Sequence, residues 1–189
     1  MYDKIFVIGF NKTGTSSIDK FLKKLGLNSI HTTTPVLEII HDYDAFSDGI
    51  HSQFRLYYQH YPNSLFILNT RPLRSWLISR YKHAEFHDFK PCWCWPVSNE
   101  KTKSWITERV YFHREVMEFF QDKPSQLLIV NIENETWMKT IRLAITGKTV
   151  NETEIKENVR PSKRIPYINE IQNNISHVLS VMGYTGDEI

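Results

Sequence analysis

An apolar run, Ile5-Phe6-Val7-Ile8-Gly9-Phe10, passes without a spacer into Asn11-Lys12-Thr13-Gly14-Thr15-Ser16-Ser17 and then into a helical pattern. The run is too short for a helix and reads as a buried strand. Beyond the turn, Ile18, Phe21, Leu22 and Leu25 recur at the i, i+3, i+4, i+7 spacing of an apolar helix face, and Gly26 supplies the stop. A strand that feeds straight into such a helix commits the helix to pack on the strand's sheet, which restricts the chain to α/β architectures. The turn has a second consequence. Its backbone N–H groups and the positive end of the helix converge on one spot, and Lys12 adds a full charge there, so the segment is an anion cradle.

The rest of the chain alternates in the same way. Strands are expected over 29–31, 64–70 and 127–131, and helices over 36–43, 52–61, 72–83, 102–121, 135–146 and 167–182, with Gly147 ending the fifth of these. Residues 85–99 and 148–164 read as loops. In the last helix Ile168, Ile171, Ile175, Val178, Leu179 and Met182 share one face. The expected fold is a three-layer α/β sandwich on a mostly parallel sheet, in one domain over residues 1–189, because no linker or repeat divides the chain. A formal net charge of +2 gives no general affinity for nucleic acid or a membrane surface. No apolar run approaches the length of a membrane span, and Ile5–Phe10 is too short for the core of a signal peptide. Two cysteines, Cys92 and Cys94, argue against a disulfide framework and fit a reducing, cytoplasmic setting.

The position of the lysine decides what kind of anion the cradle takes. A nucleotide triphosphatase loop needs G-x-x-x-x-G-K-[ST], with lysine after the second glycine. Gly9 and Gly14 have that separation, but Thr15 stands in the lysine's place, and Lys12 comes two residues before Gly14. Lys12-Thr13-Gly14-Thr15-Ser16 instead resembles the 5′-phosphosulfate loop of sulfotransferases that use 3′-phosphoadenosine 5′-phosphosulfate (PAPS). That family carries a second signature, an arginine at a strand end and a serine eight residues later. Here the strand at 64–70 is followed by Arg71 and then Ser79. The resemblance covers residues 4–83 and the later pattern in outline, including Leu127–Asn131 followed by Glu133 and Trp137. It implies a P-loop-like sulfotransferase topology. It also implies that Lys12, Thr13, Gly14, Thr15, Ser16 and Ser17 hold the 5′-phosphosulfate, and that Arg71 and Ser79 hold the 3′-phosphate. A basic segment that closes over the nucleotide is matched only by Arg160, Lys163 and Arg164, without the family's Arg-Lys-Gly form. Ser17 stands where cytosolic members carry a tryptophan.

The activity so implied is transfer of a sulfuryl group from PAPS to a hydroxyl or amine of a small-molecule or carbohydrate acceptor, releasing 3′,5′-adenosine bisphosphate (PAP). Lys12 and the helix end stabilise charge on the leaving nucleotide, and no metal is required in principle. The acceptor needs a base. The family places it between the two cofactor motifs, and Asp48, twenty-three residues before Arg71, is the first candidate, with His51, His41 and His31 as alternatives. A carboxylate with an ordinary pKa of ~3.9 is a weak base, so the assignment asks for burial or a partner. Each residue also has a plainer reading. Thr15 and Ser16 can be helix caps, Arg71 a surface ion-pair member, Ser79 an ordinary helix serine, Asp48 a helix cap and Arg160 part of a solvated stretch. His83 and His87 with Cys92 and Cys94 suggest a metal site, but Cys-x-Cys is tighter than the usual zinc spacing. The aromatic residues around them read as an acceptor-pocket or packing loop. Two other functional classes stay open: a nucleotide kinase with a deviant loop, and a non-catalytic nucleotide-binding module.

Overall fold

The computed structural model describes residues 2–32, 36–86, 97–148 and 168–188. Cys92, Cys94, His87, Arg160, Lys163 and Arg164 lie outside the described residues. The chain divides into two compact units. The first runs up to Thr70 and resumes at Glu118; the second takes Arg71–Met117 and the C-terminal helix.

The first unit is built on five parallel strands: β1 (Ile5–Val7), β2 (Ser29–His31), β3 (Ala45–Ser47), β4 (Leu65–Thr70) and β5 (Leu127–Asn131), in the order β2-β3-β1-β4-β5. Its register places Phe6 beside both Phe46 and Phe66, and Ile5 beside Ala45 and Leu65. Alternate residues therefore feed opposite faces, and both faces are apolar, as a parallel sheet covered on two sides requires. On one face Ile5, Val7, Ala45, Leu65 and Ile67 pack with Ile18, Phe21 and Leu22 of α1 (Thr15–Lys24) and with Trp137, Met138 and Ile141 of α6 (Trp137–Thr146). On the other, Phe6 stacks on Phe46, Phe66 and Tyr57, at ring-centroid distances of 5.7, 5.2 and 5.1 Å. Tyr57 comes from α3 (Phe54–His60), and Phe120, at the end of α5 (Asn99–Phe120), meets Phe66 at 5.0 Å. This is a three-layer α/β arrangement.

Some element bounds differ from the sequence pattern, for physical reasons. β3 was not expected as a strand. Its three residues, Ala45-Phe46-Ser47, lie among Asp42, Asp44 and Asp48, and they are buried by pairing with β1 and β2 and by the layers that cover the sheet. β1 ends at Val7, because beyond it the chain turns away to form the loop. α2 is a single turn, Val36–Ile39, and α3 is preceded by a 3-10 turn, His51–Gln53. α6 ends at Gly147, at φ 67°, as expected.

The second unit holds α4 (Leu73–Phe86), most of α5 and α7 (Ile168–Met182). Ile171, Ile175, Val178 and Leu179 are buried along one side of α7. The N–H groups of Leu73 and Arg74 donate to the carbonyls of Glu188 and Gly186, at 2.7 and 2.9 Å, so the C-terminal turn satisfies the start of α4. Tyr81 and Thr102 share a buried hydroxyl pair at 2.6 Å. Among the described residues, no helix is long and apolar enough to cross a membrane.

Candidate functional site

The loop after β1 is held by its neighbours rather than by its own contacts alone. Ile8 N–H continues the ladder to Ile67 O at 2.9 Å, and Gly9 N–H then donates to the side-chain oxygen of Asn69 at 2.9 Å. The Asn69 amide donates to Thr13 O at 3.0 Å and to Thr13 Oγ1 at 2.7 Å. Thr13 Oγ1 donates to Phe10 O, which closes the turn. Asn69 is fully buried, and three of its bonds go to the loop. Gly9 has no room for a side chain: a Cβ there would stand 2.1 Å from Asn69 O. Gly14, at φ 93°, caps α1, and its Cβ would meet Ile132 Cδ1 at 2.6 Å. The two glycines are thus required by close approach, and Gly14 also by backbone conformation.

Gly14 O accepts from Ser17 N–H and Ile18 N–H at 2.9 and 3.1 Å, so the helix begins at once, and the N–H groups of Thr15 and Ser16 precede its first hydrogen bonds. The first turn of α1 holds no acidic residue, and its last turn holds Lys23 and Lys24. The positive helix end is therefore not neutralised by its own sequence. Asp19, the nearest acid in α1, is turned inward, accepting from Ser29 Oγ at 2.8 Å and from Lys23 Nζ at 2.9 Å. Lys12 is half-buried at φ 67°. Lys12 supplies a cation and the exposed Ser16 and Ser17 supply hydroxyl donors, groups suited to an anion.

β2 and β3 bring two more groups to the loop. His31 ends β2, and its Nε2 lies 3.1 Å from Thr15 Oγ1 and 3.0 Å from Ser16 Oγ. Asp48 directly follows β3, and its Oδ2 lies 3.8 Å from His31 Nδ1, an ion-pair distance longer than a hydrogen bond. Asp48 has φ 76°; with Lys12 it is one of two non-glycine residues at positive φ among the described residues. Two strained positions flank one site, as functional loops commonly do. His51, an alternative base, meets the Phe10 ring at 4.8 Å in a tilted arrangement, and His41 is exposed.

Arg71 and Ser79 belong to the second unit, each half-buried. The Arg71 carbonyl accepts from Arg109 Nη2 at 2.6 Å, and Arg109 lies over the Trp76 ring at 5.0 Å. Burial first, and the neighbouring Arg71 charge second, push the Arg109 guanidinium down to about 10, with Glu188 opposing. Arg80 sits over both Trp76 and Trp105, at 5.4 and 4.4 Å. Arg71 therefore starts a segment rich in arginine and indole.

The structure brings Lys12, Thr13, Gly14, Thr15, Ser16, Ser17 and Asp48 together in the first unit, with His31 between the loop and Asp48. Sequence reasoning missed Asn69 and Arg109. A polar residue closing the apolar run Leu65–Leu68 was the available signal for Asn69; an arginine within a long helix gives none. Among the described residues no group of three or more His, Cys, Asp or Glu is placed to hold a metal. A scan against protein-family models finds no match, and a search of curated proteins finds none either.

Proposed function

We propose that this protein is a sulfotransferase that uses PAPS as donor and releases PAP. The observation that carries the reading is the loop of residues 9–17: a glycine-constrained turn with Lys12 inside it, opening on a helix whose first turn is free of acid. Lys12 before the second glycine separates it from a triphosphatase loop. The strand order β2-β3-β1-β4-β5, with the loop after central β1, supports a P-loop-like topology, in which ligands are held at the carboxyl ends of the strands.

Lys12, the N–H groups of Gly14, Thr15 and Ser16 and the hydroxyls of Thr15, Ser16 and Ser17 are assigned the 5′-phosphosulfate, while Thr13, whose hydroxyl and N–H are bonded to Asn69 and Phe10, shapes the loop. Arg71 and Ser79 are assigned the 3′-phosphate, and Arg160 keeps the closing role that the resemblance gives it. The donor set fits such an anion: backbone and hydroxyl donors and one lysine, on a turn whose glycines leave no room for a Cβ against Asn69 and Ile132. When bound, PAPS supplies an activated sulfuryl group. The chain's part is to hold it, to stabilise charge on the leaving nucleotide through Lys12, and to take the acceptor's proton near Asp48. The acceptor is a hydroxyl or amine of a small molecule or carbohydrate, and the setting is cytoplasmic.

Calorimetric titration with PAP, beside ATP with magnesium, tests the reading. Tight PAP binding with weak ATP binding is expected. Preference for ATP would replace the reading with the kinase one, and binding of neither would leave a module without a working nucleotide site.

A further inference from the structure

We infer that Arg109 is the positioning residue that aims Arg71, and that through it Arg109 determines preference for nucleotides carrying a 3′-phosphate. The inference rests on the sulfotransferase reading, which assigns that phosphate to Arg71. Arg109 is buried, and its Nη2 donates to the Arg71 carbonyl at 2.6 Å. That bond fixes the peptide plane after Arg71, and the Pro72 ring restricts the backbone on its far side. The direction in which the Arg71 side chain leaves the backbone is therefore set from its carbonyl. The N–H groups of Leu73 and Arg74 are already given to the carbonyls of Glu188 and Gly186, at 2.7 and 2.9 Å. An anion beside Arg71 thus meets side chains rather than these two N–H groups, and its recognition depends on where the Arg71 fork points.

A buried guanidinium needs support, and two helices supply it. Trp76 and Arg80 are one turn apart on α4, and Trp105 and Arg109 are one turn apart on α5. The four interleave in the order Trp105, Arg80, Trp76, Arg109, with distances from guanidinium to ring centre of 4.4, 5.4 and 5.0 Å. Both indoles are buried, so Arg109 is held by packing as well as by charge. A lysine would offer the carbonyl a donor but no planar face to lie on Trp76. After burial, the Arg71 charge is what disfavours the charged form of Arg109, and Glu188 offsets part of this. The Glu188 carboxylate is itself held by the N–H groups of Thr185 and Gly186, at 2.7 Å each. Neighbouring like charges are relieved when an anion joins Arg71, which matches the pair to a phosphate.

The test compares PAP with adenosine 5′-phosphate by calorimetry on the full chain, because the two differ only in the 3′-phosphate. The readout is the ratio of their affinities; a residue that merely supports the fold lowers both together and leaves the ratio alone. Arg109→Gln should reduce the ratio about tenfold, the effect of losing one charge-assisted bond. Arg109→Lys, which keeps the charge and a donor but not the planar fork, should reduce it less. Combining Arg109→Gln with Arg71→Ala should reduce it no further than Arg71→Ala does alone. An unchanged ratio in Arg109→Gln overturns the inference, as do additive losses in the double variant, and either result leaves the sulfotransferase reading standing. Should Arg109→Gln not fold, Arg109→Lys decides: a reduced ratio supports the inference and a wild-type ratio overturns it. A wild-type chain that binds the two nucleotides equally, or binds neither, overturns the 3′-phosphate assignment and the inference together.

Discussion

Asn69 ties the loop to the sheet through three hydrogen bonds in a fully buried position. Asn69→Ala strands Gly9 N–H and the Thr13 carbonyl and should cost about 1–3 kcal/mol per buried group left unpaired, measured by urea unfolding, with weaker PAP binding as a second readout. Gly9→Ala should be worse than Gly14→Ala, because the Gly9 Cβ would meet a backbone oxygen while the Gly14 Cβ meets the end of a flexible isoleucine. Lys12→Ala should lower sulfuryl transfer by about a hundredfold or more with little change in stability, as loss of one preorganised charge does. The loop residues were legible because glycine, lysine and hydroxyl at fixed offsets have few other uses. Asn69 was not, since its role exists only once β4 lies beside β1. His31 was legible as a candidate only. Its bond to Thr15 and Ser16 depends on where β2 ends, which three residues of pattern do not define.

Helices α1, α6 and α7 could be read from spacing and glycine stops, because each buries one stripe of a regular repeat. β3 could not, because its burial comes from neighbours on both edges and not from its own three side chains. The pair of α4 and α5 carries a pH-dependent element. Burial raises the Tyr81 hydroxyl above its ordinary pKa of 10.0, and the Thr102 bond opposes this less strongly. The neutral phenol is the form the fold holds. Its stabilising contribution is complete below pH 10.0 and is lost as pH rises from there through the folded-state value. Tyr81→Phe should be less stable than wild type by about 1 kcal/mol at neutral pH, from the lost hydrogen bond. The gap should narrow above pH 10.0, which denaturation at a series of pH values would show. At the start of the same unit, Arg71→Ala should weaken PAP far more than adenosine 5′-phosphate. Equal losses in calorimetry would remove Arg71 from the 3′-phosphate.

For the whole molecule, a ligand that binds only the folded chain should raise its unfolding free energy by about 2.7 kcal/mol at a hundred times its Kd. PAP should therefore raise the melting temperature in proportion to its logarithmic concentration, while ATP with magnesium at equal concentration should raise it less. The α/β class was legible at this scale because strand and helix signals alternate along the chain; the strand order was not, since it depends on pairings distant in sequence. Ile5 pairs with Ala45 and Leu65, forty and sixty residues further on, and the Asn69 bonds to Gly9 and Thr13 span a similar distance. A segment made before its partners is therefore completed late. During synthesis the loop of residues 9–17 leaves the ribosome long before β4, and until β4 docks it lacks the asparagine that shapes it. A nascent chain ending before Asn69 should not capture anion there, whereas one extended past β4 gains the last fixed partner of Gly9, so the competence of the N-terminal loop is timed by residues sixty positions downstream.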